Sequence, residues 1–157
     1  LFNEARSFLE ERGFIHYEIS NFCLSGRECF HNLNYWWGGE YLGLGPAAAS
    51  HLEGCRFKNR SDLPAYIDDP SAMVDEVEEF GLEEKAAEEA MLRLRLLQEG
   101  LAADDMVRRF GEDGTRHLFA RLDGLVAEGM LTYDGGRYRL VRSQVLISNP
   151  VFGRILG

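Results

Sequence analysis

The 157-residue sequence predicts an α/β unit followed by an α+β unit, and three observations carry that expectation. An amphipathic helix, a glycine stop and a β-branched strand follow one another over residues 2–19, the order of half a βα repeat. Pro64 and Pro70 then bracket a short helix and mark a boundary near residue 70. Beyond it the pattern turns to helices that end in a tight hairpin.

Taken in order, Phe2, Ala5, Phe8 and Leu9 share one helical face, and Gly13 stops that helix. Phe14 to Ile19 is aromatic and β-branched and reads as a strand. Gly38-Gly39 precedes a second strand, Glu40 to Leu44. Ser20-Asn21 and Gly45-Pro46 would then lie just past strand ends, where active groups of α/β folds collect. Residues 50–58 suit a small hairpin, and Leu63 to Ile67 a short helix. Leu82, Ala86, Ala90, Leu94 and Leu97 line a long helix that opens on Glu83-Glu84, favourable at a helix N-terminus, and stops at Gly100. Asp104 to Phe110 predicts a second helix, and Leu118, Leu122, Leu125 and Val126 stripe a third that ends at Gly129. Leu131 to Tyr133, Asp134-Gly135-Gly136 and Arg137 to Leu140 form strand, turn and strand. Three helices and a hairpin are the order of a winged-helix domain. Val145 to Leu156 closes as a helix restarted or kinked at Pro150. The expected domains are residues 1–70 and 71–157.

Charge divides at nearly the same place: residues 1–80 hold 6 basic and 14 acidic side chains, residues 81–157 hold 11 and 12. The formal net charge of -9 disfavours nonspecific binding of nucleic acid or an anionic membrane. No apolar run approaches the roughly 20 residues of a membrane span. The opening Leu1 to Arg6 reads as part of an amphipathic helix, not as a signal peptide. Cys23, Cys29 and Cys55 form neither a disulfide framework nor a cluster triplet, so a reduced, cytoplasmic setting is the default expectation.

The stretch from Glu18 to His51 is written unlike a core segment. His31-Asn32-Leu33-Asn34-Tyr35-Trp36-Trp37 puts an imidazole, two amides and three aromatic rings into seven residues, and Gly43-Leu44-Gly45-Pro46 follows a short apolar run. Groups that ligate, stack and hydrogen-bond, set beside a glycine loop, suit a flat aromatic ligand.

Tyr17 to Phe22, His31-Asn32-Leu33-Asn34-Tyr35-Trp36 and Tyr41 to Pro46 resemble, in order and spacing, the oxygen-independent coproporphyrinogen III oxidase family of radical S-adenosylmethionine (SAM) proteins. The His-Asn-x-x-Tyr-Trp string is most similar to the branch regarded as heme chaperones, where the motif is implicated in heme binding. Met91 to Arg95 and Gly129 to Leu131 resemble parts of the family's C-terminal winged-helix-like domain. The resemblance implies that residues 1–60 are the last helices and strands of a TIM-type radical SAM barrel. It also implies heme, SAM and a 4Fe-4S cluster as cofactors of a complete protein. The family's Cys-x-x-x-Cys-x-x-Cys cluster motif does not occur in these 157 residues, so the chain alone is expected to be inactive in radical chemistry. Where the chaperone branch often has a histidine before the serine, this sequence reads Ala47-Ala48-Ala49-Ser50.

The resemblance makes His31 a candidate axial ligand of heme iron, with Asn32, Tyr35 and Trp36 beside it. The alternative is a turn histidine that satisfies nearby backbone, with Asn32 and Asn34 shaping the turn. Gly43, Gly45 and Ala49 belong either to a loop that approaches SAM or to an ordinary strand exit. Cys29 is a possible thiolate ligand or an inert thiol. His16, His51 and His117 carry no partner pattern and are expected in surface or capping roles. The implied function is binding heme and passing it to acceptor proteins. The alternatives are oxidative decarboxylation of coproporphyrinogen III, and a winged-helix module that binds DNA or protein. Nucleic acid is not an expected partner, because the basic residues of the second half are balanced by acids. Self-association is expected if strand edges and apolar faces of residues 1–60 stay uncovered.

Overall fold

The computed structural model of the chain describes every residue except Glu79, and Glu76 by its backbone alone. Helix α1 spans Phe2–Glu10, and the chain turns at Gly13, whose φ of 81° suits glycine. Strand β1, Ile15–Glu18, follows as expected. It then folds straight back into β2, Asn21–Cys23, an antiparallel partner. Ser20-Asn21, expected just past the end of an α/β strand, form this reversal instead. The buried Glu18 carboxylate causes it, accepting from the Ser20 N–H at 3.1 Å and from the Asn21 side-chain amide.

The other edge of β1 is also occupied. Ile19 N–H donates to the Arg95 carbonyl at 3.1 Å and Leu97 N–H to the Tyr17 carbonyl at 3.0 Å, around an antiparallel bridge between Glu18 and Leu96. Antiparallel partners thus stand on both edges of β1, one a strand and the other a single bridge at Glu18. All strand pairs among the described residues are antiparallel, in contrast to the parallel units that a βα repeat predicts.

Helix α2, Phe30–Trp36, carries the aromatic stretch. The strand expected over Glu40 to Leu44 reduces to one bridge, in which Tyr41 and His51 exchange both backbone hydrogen bonds at 2.9 Å. The ladder stops there because the Gly43 N–H turns to the Ser50 hydroxyl, Gly45 adopts φ 112°, and Pro46 has no N–H. The expected hairpin forms as β3, Ala49–Leu52, and β4, Cys55–Asn59. Helix α3, Leu63–Asp68, is capped by Asp62, which accepts from Ala65 N–H at 3.0 Å. Strand β5, Val74–Glu78, then adds to β4, so this sheet runs β3-β4-β5 and continues past residue 70.

Helix α4, Leu82–Arg93, ends before the Leu97 that the periodicity predicts. Residues 95–97 leave the helix because their backbone groups bond to β1. Strand β6, Leu101–Ala102, leads into α5, Ala103–Ala127, which breaks at Gly111 with φ 70° and ψ 173°. That break separates the two helices read from the sequence. Strands β7, Leu131–Asp134, and β8, Arg137–Leu140, form the hairpin around Gly135-Gly136, both at positive φ, and β8 also pairs with β6. A 3-10 turn over Arg142–Ile147 precedes α6, Ser148–Leu156, with Pro150 in its first turn.

The larger core lies between α4, α5, α6 and the β6-β8-β7 sheet, with Leu94, Leu101, Leu122, Leu125 and Ile155 at or near zero exposure. A smaller one joins Tyr17, Cys23 and Leu33 to Leu96, so the 95–97 segment ties the aromatic helix to the rest. No helix of the described residues is long and apolar enough to cross a membrane.

Candidate functional site

Helix α2 has two working faces. Leu33 points into the small core, while Asn32 lies toward Tyr17 of β1. Burial raises the Tyr17 pKa, and the nearby Cys29 backbone and Asn32 side chain partly offset the rise. His31 is exposed and stands edge-on to Tyr35, with ring centroids 4.9 Å apart; Tyr35 in turn meets Tyr41 at 4.5 Å. Trp36 lies under the guanidinium of Arg95, and Trp37 donates its indole N–H to Glu99 at 3.0 Å.

At the C-terminal end of α2 a close backbone approach forms a corner. Gly39 N–H donates to the Asn34 carbonyl at 2.8 Å, and the Asn34 amide donates to the Glu40 carbonyl at 2.9 Å. A Cβ on Gly39 would collide with the Asn34 side chain, which accounts for the glycine.

This corner forms one wall of a cleft of about 670 Å³. Tyr35, Trp36, Tyr41, Ala49 and His51 line that side; Phe80, Leu92 of α4 and Phe110 at the α5 break line the other. The volume is in the range of small-molecule sites, roughly 300–1,000 Å³. Charged groups also reach it. Arg56 is paired with Glu88 and, at 3.5 Å, with Glu78, and Arg109 with Glu89 at 2.6 Å. Burial pushes the Glu89 carboxyl above its ordinary pKa, while Arg109 and Arg93 pull it back. Lys85 is exposed at the cleft and has no ion-pair partner among the described residues. No three His, Cys, Asp or Glu among them are grouped to hold a metal ion.

Of the residues singled out in the sequence, Tyr35, Trp36 and Ala49 come together in the cleft. His31 and Asn32 do not line it. Gly43 packs its α-carbon against the Ala49 carbonyl, leaving no space for a Cβ. Gly45 N–H donates to the Tyr66 hydroxyl, and its carbonyl accepts from the Asn59 amide, both at 3.0 Å. Gly43 therefore has a packing reason to be glycine and Gly45 a conformational one, its φ of 112°. Cys29 is exposed and Cys23 is buried, with its thiol pKa raised by burial. His16, expected in a surface or capping role, is buried and stacks on Phe22 at 4.1 Å, donating from Nε2 to the Ile19 carbonyl. His117 is exposed and pairs with Glu83 at 3.1 Å. His51, Lys85, Leu92 and Phe110 were missed. Strand alternation was the available signal for His51, since it shares a face with Ala49.

No protein-family model matches the chain. The chain is similar to heme chaperone HemW of Mycobacterium tuberculosis, 32% identical over 152 residues that cover 95% of this chain and 37% of that protein. With HemW of Bacillus subtilis it shares 30% identity over 154 residues, 96% of this chain and 40% of that protein. A shorter match, 48% over 48 residues, joins 31% of the chain to 11% of the mitochondrial radical S-adenosyl methionine domain-containing protein 1 of Bos taurus. The chain thus spans about two fifths of the bacterial relatives. Among solved structures, coproporphyrinogen III oxidase (HemN) of Escherichia coli, described as a radical SAM enzyme, superposes with a TM-score of 0.72. That match covers 98% of this chain and 39% of the other at 14% identity, so it speaks to fold alone. By sequence the chain is a homologue of the HemW heme chaperones and fits their C-terminal portion, and its fold is that of the matched part of the solved radical SAM oxidase.

Proposed function

We propose that this chain is the part of a radical SAM family heme chaperone that holds heme, and that the heme lies in the cleft against Tyr35 and Trp36. The observation that carries this reading is the lining: five aromatic rings and Leu92 enclose about 670 Å³, with Lys85 unpaired among the described residues beside them. Heme is a flat apolar macrocycle with two carboxylates, and this combination of aromatic walls and a cation matches it. Bound heme would supply an iron centre able to accept an imidazole. The chain's own residues would stack on the macrocycle, pair with a propionate and keep water from one face. An open cleft, rather than an enclosed cavity, also suits a ligand destined for an acceptor protein.

In this reading SAM and a 4Fe-4S cluster are cofactors of a longer protein, with the Gly43–Ala49 loop beside them, and residues 1–70 complete a barrel there. Helices α4 and α5 with the β6-β8-β7 sheet are taken as a winged-helix-like unit covering residues 71–157. A docking role for that unit is favoured over DNA binding by its arginines. Among the described residues Arg108 and Arg116 pair with Asp105 and Asp113, and Arg109 with Glu89, so carboxylates offset the charge of these arginines.

Absorbance titration with hemin, followed by mixing with an excess of a heme-free acceptor, tests the proposal. It predicts saturable one-to-one binding with a shifted Soret band, then transfer of that band to the acceptor. Absence of saturable binding would reject it. The second reading, oxidative decarboxylation of coproporphyrinogen III, requires a longer protein that carries the cluster motif, and turnover of coproporphyrinogen III by that longer protein would put it first.

A further inference from the structure

We propose that Arg109 is a second carboxylate anchor of the cleft, set beside Lys85 so that the site selects a flat ligand bearing two neighbouring carboxylates; the proposal rests on the cleft being the heme site. Lys85 and Glu89 stand at i and i+4 on α4, and both line the cleft on the face that Leu92 continues. Arg109 comes from α5, two residues before its break at Gly111, and reaches across to Glu89 with Nη1 2.6 Å from Oε1. That contact holds the guanidinium one turn of α4 away from Lys85.

The guanidinium is held but not used up. Glu89 takes one of its five N–H groups, and among the described residues no other acceptor meets it. The Arg109 side chain is 49% exposed against 9% for Glu89, so the carboxylate lies behind and the remaining N–H groups are open to the cleft. Glu89 does not depend on Arg109 alone. Arg93 lies 3.5 Å from the same oxygen and pairs in turn with Glu99, so an incoming carboxylate can share Arg109 without stranding a buried charge. Arg56 differs, because Glu78 and Glu88 both pair with it. Glu40, Glu88 and Glu89 formally balance Arg56, Lys85 and Arg109 in the lining, so an anion is held here by position rather than by net charge. A porphyrin dicarboxylate carries both acids at one edge, and a lysine next to an arginine fork, beside aromatic walls, meets that edge with charge-assisted hydrogen bonds.

The test titrates the protein, Arg109→Gln, Arg109→Lys and the double variant Arg109→Gln/Lys85→Gln with hemin, with metal-free protoporphyrin and with the dimethyl ester of that porphyrin, read by quenching of tryptophan emission. The metal-free pair makes the result independent of how iron is ligated. The proposal expects Arg109→Gln to bind both diacids about tenfold more weakly or worse, while its affinity for the diester stays within about twofold of the parent. Arg109→Lys keeps a cation but not the fork, and should show a smaller loss confined to the diacids. The double variant should lose the preference for diacid over diester. Diacid affinity unchanged in Arg109→Gln, or an equal loss for diacid and diester, overturns the proposal. Should Arg109→Gln fail to fold, Arg109→Lys decides by the same comparison: a loss selective for the diacid supports the anchor, and an equal or absent loss overturns it. Saturable binding to which Arg109 is indifferent removes the anchor alone. If the unsubstituted protein binds none of the three probes saturably, the heme reading itself fails and takes the anchor with it.

Discussion

The guanidinium carbon of Arg95 lies 4.4 Å from the centroid of the Trp36 indole, so the segment after α4 grips the aromatic helix directly. The same group lies 5.5 Å from the Phe152 ring and is coupled electrostatically to the fully buried Glu18 carboxylate. Burial lowers the Arg95 pKa, and Glu18 raises it back. Arg95→Ala removes a cation–π contact and a favourable charge coupling to the buried Glu18 carboxylate. We expect a loss of about 2–3 kcal/mol, measured by urea denaturation, with a shift in tryptophan emission. A variant as stable as the parent, with unaltered emission, would show that the grip contributes nothing.

His16 makes stability pH-dependent. Burial lowers its pKa, Arg6 adds to that, and the Ile19 carbonyl with Glu10 and Glu18 offsets part of it. Below the ordinary histidine pKa of about 6.5 the unfolded chain binds a proton that the folded one resists, so this contribution to stability is full above that pH and falls as pH drops toward the folded-state pKa. His16→Gln should flatten the decline between pH 7.5 and 5.5 relative to the parent. Parallel stability curves for the two proteins would refute the assignment.

Gly43 is required by packing. A methyl group there would meet the Ala49 carbonyl, which belongs to the sheet edge, so the loop and β3 would have to separate. Gly43→Ala should cost about 2 kcal/mol in thermal or urea unfolding. Gly45→Ala tests a different quantity, because nothing lies near its Cβ position and only its φ of 112° opposes the change.

The elements governed by local chemistry were legible in the sequence. Gly13 ends α1, Gly111 divides the two helices of α5, and Gly135-Gly136 turns the last hairpin, each at positive φ. What escaped depends on partners far along the chain. Residues 95–97 continue the leucine periodicity of α4, yet they leave it for the edge of β1, about eighty positions away in sequence. That long-range pairing overrides helix propensity. The site divides in the same way. Tyr35 and Trp36 were recognisable by density of aromatic chemistry, whereas His51 acquires its orientation from a carbonyl at Gly39 that no spacing rule connects to it.

The central claim is that the ligand enters between α2 and α4, and Leu92 tests it most directly because it lines the far wall opposite the aromatic helix. Hemin titration of Leu92→Arg, with Trp36 fluorescence isolated by Trp37→Phe, is the decisive measurement. The account predicts that hemin quenches Trp36 stoichiometrically in the Trp37→Phe background, and that Leu92→Arg, still folded by circular dichroism, loses most of that quenching and binds at least about tenfold more weakly. Equal affinity and equal quenching with the cleft obstructed would place heme elsewhere and contradict the account.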